Sequence, residues 1–198
     1  MPPKPLQRPE LTLPEQEAAW ITQAYEQATS ILEYGSGGST VLAAEMPDKT
    51  IFSVESDATW AKMLEGYIKS AQTASHAHLH HVDIGKTGKW GYPNGDKMVR
   101  NFADYSLSVW DRDDFVEPDT ILIDGRFRVG CMMAALFRSK RPVTVYFDDY
   151  EDRPYYWVVE EFVTKMETRG RMARFEVAPI GIPADRLSEI IAMLHDPR

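Results

Sequence analysis

Short apolar runs alternate along this chain with segments of helical spacing, and this order constrains the fold most. The predicted strands cover Ile31–Tyr34, Ile51–Glu55, Leu79–Asp83, Thr120–Asp124, Val143–Asp148 and Ala173–Ala178. The predicted helices begin near Pro14 and lie around Thr40–Glu45, Thr59–Ala71, Val129–Ser139, Tyr155–Thr168 and Ala184–Leu194. Alternation of this kind predicts an α/β fold, a three-layer sandwich whose doubly wound, mostly parallel sheet has about six to seven strands.

The chain is long enough for one domain and too short for two full ones, with 198 residues. Prolines at positions 2, 3, 5 and 9 predict an extended N-terminal arm over residues 1–13. Residues 85–114 break the alternation and mix glycines, aromatic residues and charges. Long insertions of this kind are often functional, so we expect an irregular lid or substrate loop there.

Charge and cysteine content narrow the class of partner and the compartment. The formal net charge of −8 offers no positive field for nucleic acid or an anionic membrane. Neither a signal peptide nor a membrane-spanning run is evident, and Cys131 is the single cysteine. These features predict a cytoplasmic protein that acts on a small molecule, with no nucleic acid and no membrane as partner; the oligomeric state is not predicted.

A glycine-rich turn follows the first predicted strand, where ligands of open parallel sheets usually bind. Gly35, Gly37 and Gly38 form this turn, and Ser39 and Thr40 open the next helix with free amides and hydroxyls. A dinucleotide-binding loop would need its third glycine at Thr40, so the NAD fingerprint fails. The alternative is that the glycines only make a tight turn.

An acidic residue ends the second predicted strand about twenty residues after this turn. Glu55 stands there, followed by Ser56. A carboxylate at that spacing can accept both hydroxyls of a ribose and would repel a 2′-phosphate. The alternative is a solvated strand end.

The run Glu33-Tyr34-Gly35-Ser36-Gly37-Gly38-Ser39 resembles the first motif of Rossmann-like, class I S-adenosylmethionine-dependent methyltransferases. One departure is that the third glycine of that family is Ser39 here, with Gly38 beside it. The resemblance implies that S-adenosylmethionine is the cofactor. It implies a binding site made of Glu33, Tyr34, Gly35, Ser36, Gly37, Gly38, Ser39, Thr40, Glu55 and Ser56, with Asp83 and Ile84 near the adenine.

Three carboxylates end the fourth and fifth predicted strands and should meet at the same edge of the sheet. Asp124 and Asp148 are the candidate catalytic residues, and together with Asp149 they are candidate ligands of Mg²⁺, which could acidify an acceptor hydroxyl. The arrangement resembles cation-dependent O-methyltransferases. The alternative is ordinary pairing, of Asp124 with Arg126 or Arg128 and of Asp148 or Asp149 with Arg153.

Further residues admit two interpretations each. Histidines at 76, 78, 80 and 81 suggest a metal site, but surface or strand positions without convergence are favoured. Trp90 and Tyr92 either cover a ligand or anchor the loop. Arg126 and Arg128 either recognise a carboxylate or phosphate on a substrate or form surface ion pairs.

The function predicted from these features is methyl transfer from S-adenosylmethionine to a small molecule, including cation-assisted O-methylation of a hydroxyl as one route. Two alternatives stay open: a methyltransferase-like binding or regulatory protein without turnover, and an NAD-dependent oxidoreductase. The sequence does not specify the acceptor.

Overall fold

The computed structural model describes residues 7–198, so the first six residues of the predicted arm lie outside the described residues. The strands are β1 (Ser30–Tyr34), β2 (Thr50–Glu55), β3 (Ala77–His81), β4 (Thr120–Ile123), β5 (Val143–Phe147), β6 (Lys165–Arg169) and β7 (Met172–Val177). The α-helices are α1 (Glu15–Gln27), α2 (Gly38–Glu45), α3 (Ala58–Ala71), α4 (Phe102–Leu107), α5 (Arg128–Arg138) and α6 (Leu187–His195).

The strands form one seven-stranded sheet in the order β3-β2-β1-β4-β5-β7-β6. The first five strands in this order pair in parallel, whereas β7 runs antiparallel to both β5 and β6. The order reverses between β1 and β4, which lie side by side. This switch point is where open α/β sheets bind ligands.

A hydrophobic core covers each face of the sheet, because alternate residues of a strand point to opposite faces. Ile31 of β1 packs with residues of α1, α2 and α3 on one face. Leu32, the next residue, packs with residues of α4 and α5 on the other. The three-layer, doubly wound fold predicted from the alternation is therefore confirmed.

One predicted helix is wrong in its second half. Residues 155–168 were expected to be helical, but a 3-10 helix covers only Pro154–Glu161 and β6 follows it. β6 and β7 form a hairpin in which Arg169 pairs with Met172 across the two residues Gly170 and Arg171. Gly170 has φ +55°, the left-handed conformation that such a tight turn requires.

The segment 85–114 is irregular only in its first half. Residues 102–111 form α4 and a 3-10 turn, and they bury Phe102, Tyr105, Val109 and Trp110 in the core. These residues recur at helical spacing, a pattern hidden by the charges between them. The predicted lid is therefore limited to the irregular residues 85–98, and its role stays a prediction.

The described part of the N-terminal arm, residues 7–13, forms no helix or strand. It packs by burying Pro9 and Leu13, and Arg8 pairs with Glu45 at 2.8 Å. Within residues 7–198, every helix is too short or too polar to cross a lipid bilayer.

Candidate active site

The loops after β1 and β4 touch at the switch point through two glycines. Gly35 has φ +102°, and a Cβ on it would lie 2.7 Å from the main-chain nitrogen of Gly125. A Cβ on Gly125 would in turn lie 2.8 Å from the nitrogen of Gly35. The two loops can approach this closely only because neither residue has a side chain. Their contact brings the glycine turn next to Asp124.

The other two glycines of the turn have different surroundings. Gly37 has an extended backbone, and a Cβ on it would have no described atom within 4 Å. A Cβ on Gly38 would lie 2.2 Å from the carbonyl oxygen of Glu10, because the N-terminal arm crosses there. Gly37 thus leaves space that a ligand can fill, whereas Gly38 makes room for the arm.

Glu33 lies behind the turn and is fully buried. Its carboxylate accepts hydrogen bonds from Tyr25 Oη at 2.6 Å, from Ser53 Oγ at 3.1 Å and from Thr40 Oγ1. Thr40 Oγ1 also accepts a bond from the amide of Gly37 at 2.9 Å. Burial raises the pKa of Glu33, against the opposing effect of these hydrogen bonds. This geometry gives Glu33 and Thr40 a supporting role; direct contact with a cofactor stays a prediction.

Glu55 lies at the end of β2 with its carboxylate fixed by main-chain amides. Oε1 accepts from the amides of Ser56 at 2.7 Å and Asp57 at 2.8 Å, and Oε2 accepts from Ser36 at 3.3 Å. Burial raises the pKa of Glu55, while these bonds act in the opposite direction. With one long bond, Oε2 retains capacity to accept from a ligand hydroxyl.

The side chains of the remaining predicted contact residues of the turn are buried. The Tyr34 side chain lies in the core, where its hydroxyl donates to the carbonyl oxygen of Ser106 at 2.7 Å. The Ser36 hydroxyl bonds to Ser53 at 2.7 Å, and Ser39 is buried. Trp60, which the sequence analysis did not single out, donates from Nε1 to the carbonyl oxygen of Ser36 at 2.7 Å. A ligand at this turn would therefore meet mostly main chain.

Asp83 and Ile84 lie where the lid segment begins. Ile84 is buried in the core, whereas Asp83 is exposed and its carboxylate accepts from the amide of Gly85 at 2.9 Å. Their predicted contact with adenine stays a prediction.

The predicted lid is a narrow hairpin whose tip reaches the end of β2. The amide of Gly88 donates to the carbonyl of Tyr92, and that of Asn94 to Lys86, each at 2.7 Å. At the tip, Ser56 Oγ donates to the carbonyl oxygen of Gly91 at 3.3 Å. Trp90 next to it has φ +60° and is 73% exposed. The hairpin is held by its main chain, so Trp90 does not anchor it to the core.

The three acidic side chains at the ends of β4 and β5 converge. Asp124, Asp148 and Asp149 each offer an oxygen, and these atoms lie within 4.8 Å of one another. Arg171 binds the fully buried Asp148 through two bonds, of 3.0 and 2.7 Å. Further ion pairs join Asp149 to Arg153 at 2.8 Å, to Arg128 at 3.1 Å and to Arg171 at 3.1 Å, and Asp124 to Arg128 at 3.3 Å.

Three arginines therefore balance three carboxylates, and the residues do not fit a divalent cation as they stand. Mg²⁺ prefers carboxylate oxygens with little competition, and here both oxygens of Asp148 are held by Arg171. Arg128, Arg153 and Arg171 would have to withdraw before the ion could be bound. The ordinary pairing that the sequence allowed for Asp124 with Arg128 and for Asp149 with Arg153 is present.

Asp124 differs from its two neighbours in that its single ion pair is long and its side chain is 28% exposed. Burial at the end of β4 raises its pKa to about 7, with the charges of Asp148 and Asp149 adding to the effect and Arg128 opposing it. A carboxyl group with a pKa near neutrality can exchange a proton under physiological conditions. The candidate catalytic role of Asp148 stays a prediction, although its enclosure by Arg171 gives it a structural part.

The histidines lie along or next to the edge strand β3, where the rings of His76 and His78 meet edge to face with centroids 4.7 Å apart. Among the described residues, the carboxylate cluster is the one group with metal-binding geometry. His78 stacks on Phe52 with ring centroids 4.7 Å apart, and His80 Nε2 bonds to Ser108 Oγ at 2.8 Å. These positions agree with the interpretation that the sequence favoured, in which the histidines lie on a strand or at the surface.

Known proteins of similar sequence and structure indicate the family of this chain. No protein-family model matches the sequence, and no curated protein matches it. Among solved structures, a methyltransferase-like protein from Silicibacter pomeroyi is 47% identical, with a TM-score of 0.91, and the alignment covers 96% of this chain and 99% of that one. The chain belongs to the class I S-adenosylmethionine-dependent methyltransferases.

More distant neighbours share the fold of this methyltransferase. An O-methyltransferase from Bacillus cereus, solved with S-adenosylhomocysteine, is 15% identical with a TM-score of 0.58, and the alignment covers 83% of this chain and 82% of that one. A tRNA (m1A58) methyltransferase from Aquifex aeolicus is 10% identical with a TM-score of 0.54, covering 88% and 73%. The acceptors of these neighbours differ, so the fold alone assigns none.

Proposed function

We propose that this methyltransferase binds S-adenosylmethionine along the turn Gly35–Thr40, with Glu55 accepting the ribose hydroxyls, and methylates a hydroxyl of a small molecule. The observation that carries the proposal is the space in front of Gly37, where a Cβ would meet no described atom within 4 Å. That space lies in the turn that contacts the β4 loop. Oε2 of Glu55 accepts one long bond, from the amide of Ser36 at 3.3 Å, so it can accept another from a ribose hydroxyl.

When bound, S-adenosylmethionine would supply an electrophilic methyl group that an acceptor oxygen could attack in line, with the sulfur leaving as the thioether of S-adenosylhomocysteine. The residues of this chain then have to align the acceptor, exclude water and take the hydroxyl proton. Asp124 is suited to the last task because it is partly exposed and has a pKa of about 7. The lid hairpin, with its tip at Ser56, is suited to excluding water.

A small-molecule acceptor is favoured over nucleic acid by charge. The net charge of −8 provides no field to attract a polyphosphate. Purified protein should release S-adenosylhomocysteine with an acceptor from a panel of phenols, sugars and hydroxy acids, and not with short RNA. Release with RNA alone would reverse this part of the proposal, and cofactor binding without release from any acceptor would favour a regulatory protein without turnover. A cytoplasmic location stays a prediction.

The cofactor site can be tested by filling the space at Gly37. We expect Gly37→Leu to weaken S-adenosylhomocysteine binding at least about tenfold, because the added side chain would occupy ligand space. Stability should change by only about 1 kcal/mol, the usual cost of losing a favourable N-cap residue. Isothermal titration calorimetry gives the affinity, and thermal unfolding gives the stability.

Gly181→Leu is the matched control. A Cβ on Gly181 would also have no described atom within 4 Å. The amide of the neighbouring Ile180 donates to the carbonyl oxygen of Leu136, near the C-terminal end of α5. This variant should bind like the wild type. Equal affinities of Gly37→Leu and Gly181→Leu for S-adenosylhomocysteine would show that the ligand does not bind at the turn. Tight binding of NADH without binding of S-adenosylhomocysteine would support the oxidoreductase alternative.

Cation assistance is tested by removing metal. Since Arg128, Arg153 and Arg171 neutralise the carboxylates, we expect calorimetric titration with Mg²⁺ to show no binding. Treatment with EDTA should leave both S-adenosylhomocysteine binding and methyl transfer unchanged. A stoichiometric Mg²⁺ site that disappears in Asp149→Asn would instead support the cation-assisted route.

A further inference from the structure

Arg126 stands apart from the other arginines at the rim because its side chain has no partner. Arg128, Arg153 and Arg171 each pair with at least one of the three carboxylates. Within the described range 7–198, Arg126 forms no ion pair, and its buried Nε has no hydrogen-bond partner. Arg126 is thus a partly buried guanidinium that lacks a partner among the described residues, two residues after Asp124.

The neighbouring carboxylates bind other groups and form no ion pair with Arg126. Both oxygens of Asp148 are bound by Arg171, and both oxygens of Asp149 are held by arginines. Glu55 is bound by three main-chain amides. Leaving a partly buried cation without hydrogen bonds is unfavourable, so an anion from outside the chain would stabilise it.

Arg126 also lies between the parts of the site that an acceptor would touch. Its Cγ is 3.9 Å from the position that a Cβ on the lid residue Gly91 would take. Its amide donates to Tyr105 Oη at 3.4 Å, next to the Gly35–Gly125 contact. An anion bound by Arg126 would therefore lie near the lid tip, on the loop that follows Asp124.

We infer that Arg126 binds an anionic group of the methyl acceptor, a carboxylate or a phosphate, so that the acceptor is a hydroxylated acid. This inference rests on the proposed function. Arginine suits both anions because its planar guanidinium donates two parallel hydrogen bonds. The acceptor hydroxyl would then be delivered toward Asp124, the proposed base.

The test uses full-length protein saturated with S-adenosylhomocysteine and two matched probes, 4-hydroxybenzoate and its neutral amide, 4-hydroxybenzamide. We expect the acid to bind about tenfold tighter than the amide in the wild type, the range of a charge-assisted hydrogen bond. In Arg126→Gln the ratio should fall to about one, and Arg126→Lys should retain part of it because the charge remains. Inorganic phosphate is titrated in parallel. Tighter binding of phosphate than of 4-hydroxybenzoate would indicate a phosphate group on the acceptor, and the reverse order a carboxylate.

Arg141→Gln, an exposed arginine that donates to the carbonyl oxygen of Glu117, is the control and should keep the wild-type ratio. The inference is overturned if neither 4-hydroxybenzoate nor phosphate shows an advantage over the amide, or if the ratio survives in a folded Arg126→Gln. It is also overturned if Arg126→Gln weakens S-adenosylhomocysteine tenfold, since Arg126 would then serve the cofactor. Failure of the wild type to bind S-adenosylhomocysteine would contradict the proposed function itself.

Discussion

Replacing Asp124 by asparagine is expected to lower kcat by about 10²- to 10⁴-fold, the usual contribution of a general base. Asparagine has nearly the same shape but cannot take the acceptor proton. Because the base works when deprotonated and its pKa is about 7, wild-type kcat/KM should rise with pH through about 7 and then level off. Asp124→Asn should lose this rise and still bind S-adenosylhomocysteine.

Two measurements check this prediction. The carboxyl ¹³C resonance of Asp124 should titrate near neutrality in the wild type, which requires no acceptor. Once an acceptor is found, rates of Asp124→Asn are compared with those of Asp113→Asn, which removes an exposed carboxylate of the same type. A pH profile that survives in Asp124→Asn would assign the proton to another group.

Replacing Arg171 by methionine is expected to destabilise the fold by about 3–5 kcal/mol. Arg171 is the partner of both oxygens of the buried Asp148, so its loss leaves a carboxylate without compensation. Urea denaturation of the variant and of the wild type measures the loss.

Arg8→Met is the matched control for this variant. Arg8 also makes a two-bond pair, with Glu45, but both side chains are more than 40% exposed. Its loss should cost about 0–1 kcal/mol. The double variant Asp148→Asn/Arg171→Met should recover part of the loss. If Arg171→Met and Arg8→Met were equally mild, the carboxylate cluster would not depend on its arginines.

The features predicted correctly from sequence depend on local patterns. The alternation of apolar runs with helical segments fixed the fold class, and β1, β2, β4 and β5 lie where those runs predicted them. The tight turn at Gly35 follows from a glycine directly after a strand. These signals extend over a few residues, so one chain carries them without knowledge of its tertiary contacts.

The features that were missed depend on contacts between distant segments. Arg171 binds Asp148 because β7 pairs with β5, with Ala173 opposite Phe147. That pairing was hidden once β6 was assigned to a helix. The turn Gly170-Arg171 was the available signal for a hairpin, and recognising it would have placed Arg171 near the end of β5. The free side chain of Arg126 had no sequence signal, since Arg128 two residues later looks equivalent.

The contact between Gly38 and the carbonyl of Glu10 has a consequence for how relatives of this protein are recognised. The glycine that departs from the usual alternating pattern serves the arm, and Ser39 stands where the third glycine would be. Homologues that share the arm should therefore keep a glycine at position 38, whereas homologues without the arm are free to change it. The arm and this glycine together are a family signature that a search based on the glycine spacing alone does not detect.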